Sequence, residues 1–232
     1  MRRTARRLGQ VGREALAIAR QGQLLAARRP TRPRDEREHG RVVVFLHGFL
    51  AGGRVFGPMR AHVEARLPVA TVDIGYGPLD RFEVAAGRIA EAIDRLAEGQ
   101  RVDVVGHSLG GILARWYLQE LGGASKVDRL VTLASPHGGT RAAEIGVLSL
   151  AKAIAPGSAV LDTLRSGRSK ASSVAHTAIV AAEDRMVTPP ASAAAIEDAE
   201  VHWIDDLGHN EALFDRRIFD HVTRALLRPP RR

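Results

Sequence analysis

The sequence predicts an α/β protein: a mostly parallel sheet with helices on both faces. Three observations predict it. Short apolar, β-branched runs recur along the chain, helically periodic segments separate them, and the connections between them are short. The 232 residues suit one such unit. A chain of this size buries enough surface to fold without disulfides or structural metal.

Residues 41–46 form a β-branched apolar run, as a strand buried on both faces reads. Residues 69–73 are a second. Residues 83–98 set Val84, Ile89, Ile93 and Leu96 at helical spacing. Residues 102–105 predict a third strand, 109–121 a helix and 130–133 a fourth strand. A helical stretch with little charge follows over about 142–164. Residues 178–181 and 201–204 read as late strands, and 217–227 as the final helix. No internal repeat is visible.

With 45% hydrophobic and 26% charged residues the chain is an ordinary globular protein, and at 4% aromatic its core must be mostly Ala, Val, Leu and Ile. The absence of cysteine excludes a disulfide scaffold, a thiolate zinc site and a cysteine nucleophile. The longest apolar runs fall far short of the roughly 20 residues a membrane span needs. The basic N-terminus lacks a signal peptide's continuous apolar stretch. A cytoplasmic protein is the resulting expectation.

The net charge of +8 divides unevenly. Residues 1–39 hold 11 Arg against 4 acids, 228–232 add three Arg, and the body between has 20 basic and 22 acidic residues. Basicity confined to the ends does not make a nucleic-acid-binding face, so no nucleic-acid partner is expected. Residues 1–39 are therefore read as a basic extension and linker, and 40–232 as the folded domain. In the extension Leu8, Val11, Ala15, Ile18 and Leu25 recur at weak helical spacing among arginines. Two readings stand: a helix lying on an anionic membrane surface, or an extension that packs on the domain or frays. The polar stretch 30–40 reads as a linker. No candidate chemistry precedes Arg41, so the head is expected to be dispensable for it.

Gly106-His107-Ser108-Leu109-Gly110 fits Gly-x-Ser-x-Gly between a predicted strand and a predicted helix. That context makes Ser108 a candidate nucleophile on a strained turn. The alternative is a plain tight turn. Here the chain resembles the lipase and esterase branch of the α/β-hydrolase superfamily, over about residues 41–227. Phe45-Leu46-His47-Gly48-Phe49 resembles the family's oxyanion loop and residues 106–111 its nucleophile elbow. Residues 134–140 and the Pro156-Gly157-Ser158 stretch resemble lipase segments. Residues 182–189 resemble the acid loop, and Gly208-His209-Asn210 the histidine loop.

The resemblance implies an α/β-hydrolase fold with a small lid or none, and a serine hydrolase of carboxylic esters. A base must take the serine proton. Of nine histidines, His209 falls where a strand ends, at the carboxyl edge that should also carry Ser108. His107 belongs to the strained turn, so its ring is expected to point elsewhere. His137 is expected in the wall of the site, and His176, His202 and His221 packed or exposed. Resemblance and loop register favour Asp184 as the orienting acid, with Asp205 and Asp206 as rivals. The oxyanion hole is expected at the backbone N–H groups of Phe49 and Leu109. Asp73 and Asp80 have no ligand-spaced partners, so neither metal nor cofactor is expected. Residues 141–170 read equally as a lid or acyl-pocket wall and as core cover. The implied partner is an ester or lipid substrate. A thioesterase or acyltransferase on the same fold, or a non-catalytic lipid- or partner-binding protein, remains the alternative.

Overall fold

A computed structural model describes residues 2–26 and 41–231. The chain runs α1 (Arg2–Ala26), β1 (Val42–Leu46), α2 (Gly57–Glu64), β2 (Ala70–Ile74), α3 (Phe82–Leu96), β3 (Val102–His107) and α4 (Leu109–Glu120). It continues with β4 (Val127–Leu133), α5 (Ser149–Lys152), α6 (Ala159–Ser166), β5 (Ala175–Ala181), β6 (Ala199–Ile204) and α7 (Arg216–Leu226). The strands form one sheet in the order β2-β1-β3-β4-β5-β6, every pair parallel.

Alternation along each strand feeds two cores. In β1, Val42, Val44 and Leu46 face the layer built on α3 and α4, while Val43 and Phe45 face that of α2 and α7. All five are fully buried, which explains a run with no polar residue. In α3, Phe82, Ala85, Ala86, Ile89 and Ile93 turn inward, a period-3.6 stripe. Among the described residues no helix is long and apolar enough to cross a membrane.

The order places β2 on one side of β1 and β3 on the other. The chain therefore reverses direction across the sheet at β1/β3, and ligand sites in open parallel sheets form outside the carboxyl ends at such a switch point. His47-Gly48 leaves β1 there and Ser108 leaves β3. At the opposite edge Asp103 is buried between Arg41 and Arg129, which tie β1, β3 and β4 together.

One expectation needs correction. The helix expected over 142–164 is broken. Turns at Arg141–Ala143 and short α5 precede Pro156-Gly157, and only α6 continues. Proline lacks the N–H that a continuing helix requires, and Gly157 sits at φ 71°. Residues 2–26 form one helix, and among its described side chains Gln10 and Ala17 are buried against the domain, at 4% and 5% exposure. Of the two readings of the head, packing on the domain describes α1. The expected linker over 30–40 lies outside the described residues, as do the side chains of residues 2–8.

Glycine at the start of α4 is a packing requirement. A Cβ on Gly110 would stand 2.2 Å from the Leu46 carbonyl oxygen, whereas one on Gly87, inside α3, would meet nothing within 4 Å. Gly110→Ala should therefore cost about 1–3 kcal/mol, while Gly87→Ala should stabilise by up to about 1 kcal/mol. Urea midpoints of the two variants check this. Equal effects would show that the elbow backbone is free to give way.

Candidate active site

Ser108 occupies φ 54°, ψ −123° between β3 and α4, a region that costs a residue with a side chain about 1–3 kcal/mol. Its N–H donates to the Leu133 carbonyl at 2.9 Å and its carbonyl accepts from Gly111 N at 3.1 Å. The turn closes because Gly106 and Gly111 are in backbone contact: a Cβ on Gly106 would lie 2.6 Å from Gly111 Cα. Strain of this kind recurs around one edge. Among the described residues the non-glycine positions with positive φ are Leu50, Ser108, Ala134 and Asp206, and each lies on a loop that follows a sheet strand.

Asp184 and His209 meet in the interior. His209 Nδ1 donates to Asp184 Oδ2 at 2.7 Å, and both side chains are almost wholly buried. The other carboxylate oxygen accepts from Met186 N at 2.8 Å and Val187 N at 2.7 Å. The acid is thus fixed by its own loop before it meets the imidazole. With Nδ1 committed as donor, Nε2 carries the lone pair of the neutral ring. The rival acids Asp205 and Asp206 are exposed.

The expectation that the His107 ring points away is corrected. Its Nε2 donates to the His209 carbonyl at 3.1 Å, and the two rings lie 4.7 Å apart. The residue before Ser108 therefore holds the loop of His209. Burial pushes its pKa well below the usual histidine value, with His209 and His47 adding to the effect. The ring stays a neutral strut. Gly48 packs against the same turn, with room for a Cβ only 3.1 Å from Ser108 Cβ.

Tyr76 was not expected to matter. Its hydroxyl donates to the His47 carbonyl at 2.7 Å and its ring stacks on His47 at 4.3 Å. His47 Nδ1 in turn donates to the Gly48 carbonyl at 2.8 Å. The backbone that leads to Phe49 is braced from both sides. Phe49 is half-buried, and Leu109 is fully buried at the first residue of α4. The only sequence signal for Tyr76 was an isolated aromatic next to Gly75 and Gly77.

His137 is not beside this pair in hydrogen-bond terms. Its Nδ1 accepts from Arg115 at 3.2 Å, its Nε2 donates to Thr132 Oγ1 at 3.0 Å, and that hydroxyl reaches His176 Nε2 at 3.1 Å. Arg115, His137 and His176 line a cavity of about 350 Å³ together with Leu161 of α6. The segment 141–170 divides accordingly. Leu150, Ile154, Leu161 and Leu164 join the core, while Ile145 and Val147 stand 89% and 83% exposed. Asp73 pairs with Arg60, and Asp80 accepts from Gly77 N and Arg88. Among the described residues no cluster of three or more His, Asp or Glu could hold a metal ion.

The comparisons agree with this frame. The model of the "Alpha/beta hydrolase family" matches residues 43–169, more than half of the chain. Lipase B of Aspergillus fumigatus superposes with a TM-score of 0.70 at 17% identity, covering 87% of this chain and 56% of that one. The chain thus spans little more than half of that lipase. The mature lipase BlEst2 of Bacillus licheniformis gives 0.68 at 13% identity, covering 85% and 94%. The monoacylglycerol lipase of Paleococcus ferrophilus gives 0.58 at 16%, covering 80% and 91%. At these identities the likeness is one of fold. No protein of curated function matches the sequence.

The buried rings predict an acid limit to stability. Burial is the first cause that lowers His137 and His176, the latter to about 3, with Arg115 adding to both. Above the unfolded value of about 6.5 neither state binds these protons, and stability is at its full value. Between pH 6.5 and about 3 the unfolded chain takes up protons that the folded chain excludes, so stability falls as pH falls. The urea midpoint should drop steadily over that range, and less steeply in His176→Gln. Identical pH profiles for wild type and variant would remove His176 from the explanation.

Proposed function

Because the chain belongs to the alpha/beta hydrolase family, we propose that it is a serine hydrolase of carboxylic esters that works through an acyl-enzyme. The observation that carries this reading is the strained Ser108 at the same sheet edge as a buried His209–Asp184 pair at 2.7 Å. His209 Nε2 takes the Ser108 proton as Oγ attacks the ester carbonyl. The protonated ring then gives the proton to the leaving alcohol. Water, deprotonated by the same nitrogen, releases the acid and restores Ser108. Asp184 holds the tautomer and stabilises the imidazolium without taking its proton. The N–H groups of Phe49 and Leu109 stabilise the oxyanion, helped by the positive end of α4. No step needs a metal or cofactor.

Lipid-like esters suit the surface around this edge. Leu50, Leu79, Ile145, Val147 and Met186 are all exposed, and all lie on loops that follow strands. Single exposed apolar residues are ordinary, but five on one rim favour an apolar substrate.

A fluorophosphonate probe should label Ser108 and no other residue. Ser108→Ala and His209→Ala should each lower kcat on p-nitrophenyl esters by roughly 10⁴–10⁶, and Asp184→Asn by roughly 10⁴, the scale seen when such triads are broken in serine proteases. Chelators should leave the rate unchanged. Folded Ser108→Ala protein with undiminished hydrolysis would reject the assignment. Labelling without hydrolysis, but with transfer to an acceptor alcohol or from a thioester, would move the protein to the acyltransferase or thioesterase reading.

A further inference from the structure

We infer that Glu14, in the N-terminal helix α1, is a positioning residue for the loop that carries His209. The inference rests on the reading of His209 as the general base. Its carboxylate accepts from Asn210 N at 2.9 and 3.1 Å, from Asn210 Nδ2 at 2.7 Å and from Glu211 N at 3.2 Å. Four contacts to the two residues after His209 fix where that backbone lies.

The rest of α1 supports the same grip. Gln10, Glu14, Ala17 and Gln21 recur at intervals of four, three and four residues, one face of a helix. Gln10 Nε2 donates to the Glu183 carbonyl at 2.7 Å, next to Asp184. Gln21 Nε2 donates to Asn210 Oδ1 at 2.6 Å. Arg13 donates to Glu211 Oε1 at 2.7 Å and to the Asp206 carbonyl at 3.0 Å, while Glu211 Oε2 accepts from Gly208 N at 2.6 Å. One rigid helix thus holds the acid loop and the base loop together. A cavity of about 220 Å³ between α1 and the loops is bordered by Val11, Ile18 and His209 itself.

Gly208 carries an independent trace of this packing. A Cβ there would stand 2.4 Å from Glu14 Oε2, 3.1 Å from Glu211 Oε2 and 3.2 Å from Glu14 Cδ, its three nearest neighbours. Gly208 is not among the residues with positive φ. An L side chain is therefore conformationally allowed, and the nearest obstacle is the helix's own carboxylate.

Misplacing a catalytic group by about 1 Å costs on the order of 10²-fold. Glu14→Ala should therefore lower kcat on a soluble p-nitrophenyl ester by about 10–100-fold, with KM within two-fold and the thermal midpoint within a few degrees. Glu14→Gln, which keeps one acceptor oxygen, should recover part of the loss. Leu16→Ala, exposed on the same helix, should match wild type. Hydrogen exchange of the full chain should show the Asn210 and Glu211 amides losing protection in Glu14→Ala. Gly208→Ala should also lower kcat, and its effect should be smaller in a Glu14→Ala background, because the clashing carboxylate is gone. Wild-type kcat in Glu14→Ala, unchanged protection of the two amides, or full additivity of the Gly208 and Glu14 effects would overturn the inference. If Ser108→Ala and His209→Ala retain hydrolysis, the base reading fails instead, and the exchange measurement still decides whether Glu14 holds the loop.

Discussion

The structure depends on one close approach of backbones, between the first turn of α4 and the end of β1. Gly110 lies so near the Leu46 and His47 carbonyls that no Cβ fits, and Gly106 lies equally close to Gly111. Two parallel strands at their usual separation cannot bring Ser108 and the loop after β1 together unless the connecting backbone is drawn in tightly. The cost is the positive φ of Ser108, and the sheet meets it by burying β1 and β3 completely on both faces. An elbow strained by one to three kcal/mol persists only where the surrounding packing over-determines it. The strands on either side do so.

Around that elbow the structure uses neutral imidazoles as spacers. His47 is braced by Tyr76 and bonds to the Gly48 carbonyl, and burial lowers its pKa. His107, lowered further, bonds to the His209 carbonyl. An imidazole has a donor edge and a flat apolar face, so it can fill a core position and still satisfy a loop carbonyl. Protonating these rings would place positive charge in a dry interior. Their lowered pKa values keep them uncharged through neutral pH. The charge that changes hands in the proposed reaction then meets fixed dipoles, not titrating neighbours.

Much of this was legible because the signals were local. The fully apolar β1, the alternation of strands and helices, and Gly-x-Ser-x-Gly at a strand-to-helix boundary each need only a few adjacent residues. Strand ends drifted: β4 begins at Val127 and β5 at Ala175, ahead of the apolar runs that announced them, because polar residues there such as Arg129 and His176 pair with neighbouring strands, which hydropathy does not read. Helix α2 was missed, since Gly57-Pro58 at its start reads as a turn although proline fits a first helical turn. The partners of His107 and Tyr76 were invisible for a different reason. They join residues 29 and 102 positions apart, and no window of sequence contains both members.

The head shows why charge and apolar spacing misdirect. Reading for hydrophobic periodicity selects Val11, Ala15 and Ile18, and Val11 and Ile18 are largely exposed. The face that docks is Gln10, Glu14, Ala17 and Gln21, which a hydrophobic stripe cannot reveal. A polar docking face works here because the surface it meets is made of loop backbone: the Glu183 and Asp206 carbonyls and the N–H groups of Asn210 and Glu211. Loops that leave the carboxyl ends of strands carry such unpaired groups, and buried ones must find partners. A helix of amide and carboxylate side chains supplies them where an apolar helix would leave them unmet. It also brings Val11 and Ile18 to the border of the cavity beside His209.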